Sequence, residues 1–223
     1  MQISLTLILC VFTGIVSWQA LSNSELFSKL SLSPFRVKHN REIYRLWSHT
    51  LVHVDMGHLF FNLFAMFSFG QAVERSMPIV FAQSDIPEVL LPYITQSVQQ
   101  KVLFALLYLG AAAFATIPAM KKHGDNVYYR SVGASGAVSA VMMLYMFMFP
   151  TSKLLFFFIL PLPGWIAIIL FFGLEYYMNK RMNSNIAHDA HLAGAIFGIL
   201  FLLVCKPQVF LSFYEEVINS IPL

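Results

Sequence analysis

The chain has 223 residues, 58% of them hydrophobic and only 11% charged, with a formal net charge of +3. A water-soluble domain carries about 25% charged residues, so this composition excludes a soluble globular domain and makes a lipid bilayer the expected surroundings. The basic residues form no run, which leaves nucleic-acid binding without support, and Cys10 and Cys205 lie far apart in apolar stretches with no ligand-like spacing, as small core residues do.

A helix that crosses a hydrocarbon core of about 30 Å needs roughly 20 mostly apolar residues. The chain has room for about six of them and for short connections, so a single membrane domain over 1–223 is expected, an all-α bundle of six transmembrane helices. The apolar segments fall at about 3–21, 57–73, 101–119, 133–149, 164–178 and 188–205. The first has no Lys or Arg ahead of it, and Trp18-Gln19 is a poor cleavage site, so it reads as a retained helix and not a leader. The polar stretch 22–56 follows, with Glu25, Lys29, Arg36, Lys38, Arg41, Glu42 and Arg45; Tyr44 and Trp47 near its end suit a loop that folds back into the membrane interface. Residues 75–100 form a second polar loop broken by Pro78, Pro87 and Pro92, and Lys121 to Arg130 a short third one. The apolar run Leu154 to Leu160 is bracketed by Pro150, Pro161 and Pro163 and is too short to span, which points to an interfacial or re-entrant segment. Asn179 to Asn185 is a polar hinge before the last helix.

With six spans, the second, fourth and sixth helices begin on the same side of the membrane. The polar residues inside the apolar segments gather at those three starts: His58 and Asn62, then Ser135, then His191. Each lies within about two helical turns of its N-terminus, so all four share a depth below one face.

Gly133-Ala134-Ser135-Gly136 holds a hydroxyl that a neighbouring base could activate, flanked by glycines that admit a second helix or a substrate backbone, near N–H groups a helix start leaves unpaired. Taken alone it also fits a small-residue packing motif continued by Ala137, Ser139 and Ala140. Ala187-His188-Asp189-Ala190-His191-Leu192-Ala193-Gly194 supplies the base: an ionisable side chain in a membrane helix is costly and marks function, although a buried histidine satisfied by a carbonyl is the plain alternative. His188, one turn earlier, reads as structural. Asp189 is about 200° around the helix from His191, which leaves a Ser–His dyad with no third member. His58 and Asn62 are an i, i+4 pair on one face, placed to donate to a developing oxyanion. His49, His53 and His58 with the two histidines near residue 190 also allow a metal site, but no HExxH is present, so no metal is expected and His49 and His53 read as loop-holding residues.

These residues resemble the rhomboid family from about Tyr44 to Gly198. Tyr44-Arg45 before His49 and His53 looks like the family's aromatic-Arg loop motif, His58-Leu-Phe-Phe-Asn62 like its His-x3-Asn, and Gly70-Gln-Ala-Val-Glu74 like its GxxxE. Gly133-Ala-Ser135-Gly136 looks like its GxSG nucleophile motif, and Ala187 through Gly194 like its AHxxHLxG. The resemblance implies an intramembrane serine protease in a six-helix bundle, with Ser135 as nucleophile and His191 as base. It implies an oxyanion hole of the Ser135 N–H, His58 and Asn62, with Gly133, Gly136 and His188 in support. It also implies transmembrane segments of other proteins as substrates, no cofactor, and a bacterial inner membrane with the site facing outward.

Two departures stand out: Tyr44 replaces a common Trp, and Ser139 replaces an aromatic that stacks on the histidine in many bacterial members, so either Tyr145 or an aromatic of a neighbouring helix supports His191, or the imidazole is held less firmly. The loop charges also run against the implied orientation. Ten basic residues (Lys29, Arg36, Lys38, Arg41, Arg45, Lys121, Lys122, Arg130, Lys180, Arg181) fall on the side of the site and four (Arg75, Lys101, Lys153, Lys206) opposite, which by positive-inside bias would turn the site to the cytoplasm. The outward reading is kept because the long first loop is expected to fold as protein. Three rivals remain: an inactive rhomboid-like protein that binds transmembrane helices, a histidine-lined transporter, and a metal-dependent membrane hydrolase.

Overall fold

The structure, a computed structural model, describes residues 4–78, 87–90, 93–156, 160–181 and 187–221. It is mostly helical, and its helices are inside out relative to a soluble bundle. In α1 (Leu5–Ser22), Thr6, Thr13, Ser17 and Ala20 are buried, while Leu7, Ile8, Val11, Phe12, Ile15 and Trp18 face outward. Large apolar side chains cost nothing against lipid, whereas small and hydroxyl side chains let backbones approach and find partners inside. The same belt continues on α5 (Met56–Ser76) through Phe60, Phe61, Phe64 and Phe67, and on α6 (Gln96–Phe114) through Val102, Leu106 and Leu109.

α1 is held to α5 by one carboxylate. Glu74 accepts from the Ser4 and Thr6 hydroxyls at 2.6 and 2.8 Å and from the Leu5 and Thr6 N–H groups, both at 2.9 Å. It thereby pairs donors that a helix N-terminus leaves free and places a negative charge at the positive end of the dipole. One turn earlier Gly70 faces Thr6, where a Cβ would lie 2.6 Å from Thr6 Cγ2, so the Gly-x3-Glu spacing is one contact: glycine for approach, glutamate for the tie.

The polar stretch after α1 is folded protein. α2 (Ser24–Leu30) is capped by Asn23, α3 (Pro34–Asn40) by Ser33 with proline in its first turn, and α4 (Arg45–Ser48) runs into a tight turn at His49–Leu51. Arg45, 1% exposed, staples this loop: its guanidinium donates to the Ser28 and Ser31 carbonyls at 2.8 and 2.6 Å and to Glu42 at 2.6 Å. Trp47 Nε1 donates to the Leu109 carbonyl at 3.0 Å and fixes the loop against α6. Several of the basic residues counted above as loop charge are thus engaged: Arg36 and Arg45 with Glu42, Lys38 with Asp125, Lys122 with Asp189.

α7 (Ile117–His123) follows α6 at a break near Thr116, and α8 (Ser135–Met148) is the central helix. Nine of its residues are buried, and it meets α5, α6, α9 (Gly164–Arg181), α10 (His188–Cys205) and α11 (Gln208–Ser220). Two glycines of α10 make the α8 contact: Gly194 lies against the Gly136 carbonyl, and a Cβ at Gly198 would stand 2.9 Å from the Ala140 oxygen.

Length and composition qualify Leu5–Ser22, Gln96–His123 and His188–Cys205 to cross a membrane, and the pair Arg45–Leu51 and Met56–Ser76, bent by 100°, makes a fourth candidate. Among the described residues that makes three or four candidates, against the six expected. At 1.5 Å per residue, α8 is only about 21 Å long; its approach, residues 131–134, is non-helical backbone covered by protein, starting at the Leu32–Ser131 bridge.

The segment expected to be interfacial or re-entrant holds two short strands, β1 (Lys153–Phe156) pairing antiparallel with β2 (Leu160–Pro163); 157–159 lie outside the described residues. Pro161 and Pro163 suit an edge strand, which leaves an N–H position unused. Most of the hinge 179–185 and Pro92 of the second loop also lie outside the described residues. α11 was not foreseen, because Lys206-Pro207 ends the apolar run. It turns Phe210 and Phe213 onto Phe147 of α8, at 5.3 and 4.8 Å between ring centroids, and leaves Leu211, Tyr214 and Ile218 exposed.

Candidate active site

Ser135 is the first residue of α8 and His191 stands in the first turn of α10. The close crossing at Gly136 and Gly194 brings the two together, and Ser135 Oγ lies 2.7 Å from His191 Nε2. The other ring nitrogen, Nδ1, is 3.0 Å from Glu175 Oε1, and the second oxygen of that carboxylate is 2.7 Å from His188 Nδ1. Beside the pair expected from the sequence, a carboxylate from α9 faces the far side of the His191 ring. Asp189 does point away, paired with Lys122 Nζ at 2.7 Å.

The backbone before Ser135 is held by the loop histidines. His53 is fully buried between Ser17 Oγ, 3.1 Å from its Nδ1, and the Ala134 N–H, which donates to its Nε2 at 3.4 Å. The Gly133 N–H donates to the His49 carbonyl at 2.9 Å. Gly133 has φ +113°, in the region that favours glycine, and the His58 ring fills the space where a Cβ would be. Asp55 caps α5 through the His58 N–H at 2.7 Å. His58 thus sits beside the extended backbone that enters α8, with its Nδ1 buried and unpaired among the described residues. Asn62 donates to the His58 carbonyl at 2.9 Å and lines a small void with Thr13, Tyr108, Ala134 and Val138.

Among the described residues, no Phe, Tyr or Trp is found stacked on His191. Ser139 donates to the Ser135 carbonyl at 2.8 Å, and Tyr145 packs on Phe69 and Phe149. The ring next to His191 is His188, edge-on at 6.0 Å. Among the described residues, the grouping that could hold a metal ion is Glu175, His188 and His191, and here the carboxylate already serves as hydrogen-bond acceptor for both rings. His49, His53 and His58 are no part of it.

Comparison with known proteins decides the family, since the rhomboid domain matches residues 40–208. The chain belongs to the rhomboid family. A plant relative, RHOMBOID-like protein 12, mitochondrial, from Arabidopsis thaliana, is 26% identical over 186 residues, covering 81% of this chain and 51% of the relative. Rhomboid protein 1, mitochondrial, from Saccharomyces cerevisiae is 26% identical over 151 residues, 67% of this chain and 38% of the relative. Putative rhomboid protease YdcA from Bacillus subtilis is 27% identical over 175 residues, 74% of this chain and 69% of the relative. The chain spans about half the length of the plant relative and less of the yeast one. Rhomboid membership and the apolar helices together make this an integral membrane protein. Two of these three relatives are mitochondrial by name and one is bacterial.

Proposed function

We propose that this rhomboid protein is a serine endopeptidase that cleaves transmembrane segments of other membrane proteins. The observation that carries this reading is the 2.7 Å contact between Ser135 Oγ and His191 Nε2 at the half-buried start of α8. Ser135 donates its proton to Nε2 as Oγ attacks the scissile carbonyl; the imidazolium then gives that proton to the leaving amine as the C–N bond breaks. Water hydrolyses the acyl-enzyme by the same route in reverse. The developing oxyanion sits at the N-terminus of α8, against the Ser135 N–H, where unpaired helix donors and the dipole favour negative charge. His58, beside Gly133, and Asn62 are its proposed side-chain donors. Gly133 and Gly136 give access, and His188 is a supporting residue. The substrate helix must open locally, since a regular helix hides its carbonyls, so segments with small or helix-breaking residues are the expected targets.

No cofactor and no metal are required by this chemistry. The chain is read as a multi-pass protein of a bacterial inner membrane, with six spans and the site facing outward. Four of the ten site-side cations, Arg36, Lys38, Arg45 and Lys122, are engaged in ion pairs, which is consistent with that orientation despite the charge count. A reporter fused after Leu223 tests it: an outward C-terminus reverses the assignment.

The deciding experiment is cleavage of a reporter transmembrane substrate in liposomes by the wild type, Ser135→Ala and His191→Ala. Loss of about 10³-fold or more in both supports the reading. Equal cleavage by all three removes the dyad, and no cleavage by any of them, across several substrates, moves the protein to the helix-binding alternative.

A further inference from the structure

We propose that Glu175 is a positioning residue for His191, holding the imidazole in the tautomer and orientation that Ser135 needs; this rests on the serine-protease reading above. Ser135 Oγ–H can donate to Nε2 only if that nitrogen carries a lone pair. In a neutral imidazole the proton must then sit on Nδ1, and the tautomer persists if Nδ1–H has an acceptor. Glu175 Oε1 is that acceptor at 3.0 Å, opposite the 2.7 Å contact to the serine.

The carboxylate is itself fixed. His188 Nδ1 lies 2.7 Å from Oε2, so two donors on neighbouring turns of α10 set both the position and the plane of the acid. The glutamate and His191 side chains are each 16% exposed and His188 is 4% exposed, which keeps bulk water from substituting for either bond. A tie between α9 and α10 needs only the His188 contact; the second oxygen on His191 is what turns the tie into orientation of the ring.

Residue 139 explains why such a device is useful here. The serine at that position turns its hydroxyl to the Ser135 carbonyl and offers the imidazole no surface, and the neighbouring ring, His188, meets it edge-on. A ring held by neither stacking nor a second hydrogen bond would rotate away from Oγ. In the reaction, Oγ forms its bond to carbon while its proton moves to Nε2 and the carbonyl π pair moves to oxygen. The positive imidazolium then faces the carboxylate, which keeps its own charge throughout; the Nε2 proton leaves with the amine as the C–N bond breaks. A carboxylate inside a membrane helix is costly, and the charge it balances at this step gives it a function.

The test uses the full chain in liposomes with a reporter transmembrane substrate. The variants are Glu175→Gln, Glu175→Asp, His188→Ala and Ser135→Ala, each read for kcat, KM, thermal stability and rate of Ser135 labelling by a fluorophosphonate. Glu175→Gln is expected to lower kcat and the labelling rate by about 10²-fold or more, with KM within about twofold of wild type. Glu175→Asp should recover part of that loss, and His188→Ala should lose less than Glu175→Gln, because the bond to His191 remains. Wild-type kcat in Glu175→Gln overturns the proposal. So does a loss in Glu175→Gln that His188→Ala matches in size and in melting temperature, which would make Glu175 a helix tie. Loss of wild-type activity on chelation, restored by Zn²⁺, would also overturn it by making Glu175 a metal ligand. Wild-type cleavage by Ser135→Ala would instead sink the protease reading itself, whatever Glu175 does.

Discussion

Gly194 of α10 lies so close to the carbonyl oxygen of Gly136 on α8 that a methyl group added to Gly194 would overlap that oxygen. The obstacle is backbone, with no flexible side chain to swing away, and the Ser135–His191 contact is within one turn of it on each helix. Gly194→Ala is therefore expected to destabilise the bundle by about 3 kcal/mol, the upper part of the overpacking range. Cleavage should fall further than stability alone explains, because the helices part where the proton is transferred. Melting in detergent beside kcat/KM checks this, and a wild-type melting temperature would mean that the crossing is looser than described.

Gly133 is under two constraints at once, its φ of +113° and the His58 ring that occupies the site of a Cβ. Gly133→Ala meets both: backbone strain of about 1–3 kcal/mol and displacement of His58 from beside the entry to α8. Gly173, in the interior of α9 with nothing within 4 Å of its Cβ site, makes the comparison. There, Gly→Ala should stabilise by about 0.5–1 kcal/mol, since only helix propensity changes. Opposite signs for the two alanines in a thermal melt are the expected result, and destabilisation of equal size by both would remove the steric account.

His53 connects α1 to the residue before Ser135, through Ser17 on one nitrogen and the Ala134 N–H on the other. His53→Ala strands a buried hydroxyl and a buried N–H, at about 1–3 kcal/mol for each group left unpaired. His53→Gln offers both a donor and an acceptor and should recover part of the loss. If the two variants melt alike, the histidine acts by volume and not by its hydrogen bonds.

The site's polar residues are legible in the sequence where they mark helix starts. Ser135, His191, His58 and Asn62 stood out because each is polar within an apolar segment and near a helix start, and parity puts those starts on one face. Glu175 obeys the same parity from the other direction. It lies in the last two turns of α9, an antiparallel neighbour, so it returns to the face where α8 and α10 begin. A carboxylate inside an apolar segment is the signal for it, carried at a helix end and not at a start. The folding of 24–51 could not be read in detail, because its stability lies in long-range hydrogen bonds such as Arg45 to the Ser28 and Ser31 carbonyls, which no periodicity announces. α11 was hidden for a local reason: Pro207 ends one apolar run, and Glu215-Glu216 interrupts the next.

Asp125 ties the loop before α8 to α3, accepting from Lys38 Nζ at 2.7 Å and lying 2.9 Å from His39 Nε2. The hydrogen bond from Lys38, then that from His39, holds the Asp125 carboxyl below its ordinary value of 3.8. A carboxylate with a depressed folded value binds its proton later than the unfolded chain does. Its contribution is therefore complete above the ordinary value and is lost as pH falls through the lower, folded one. Both partners are exposed, so salt should weaken the tie as well. Hydrogen exchange of residues 123–128 is expected to stay protected from neutral pH down to about 4 and to rise only below that, with Asp125→Asn showing raised exchange at neutral pH and no such step. A step near neutral pH instead, retained in Asp125→Asn, would assign the control of this loop to a histidine.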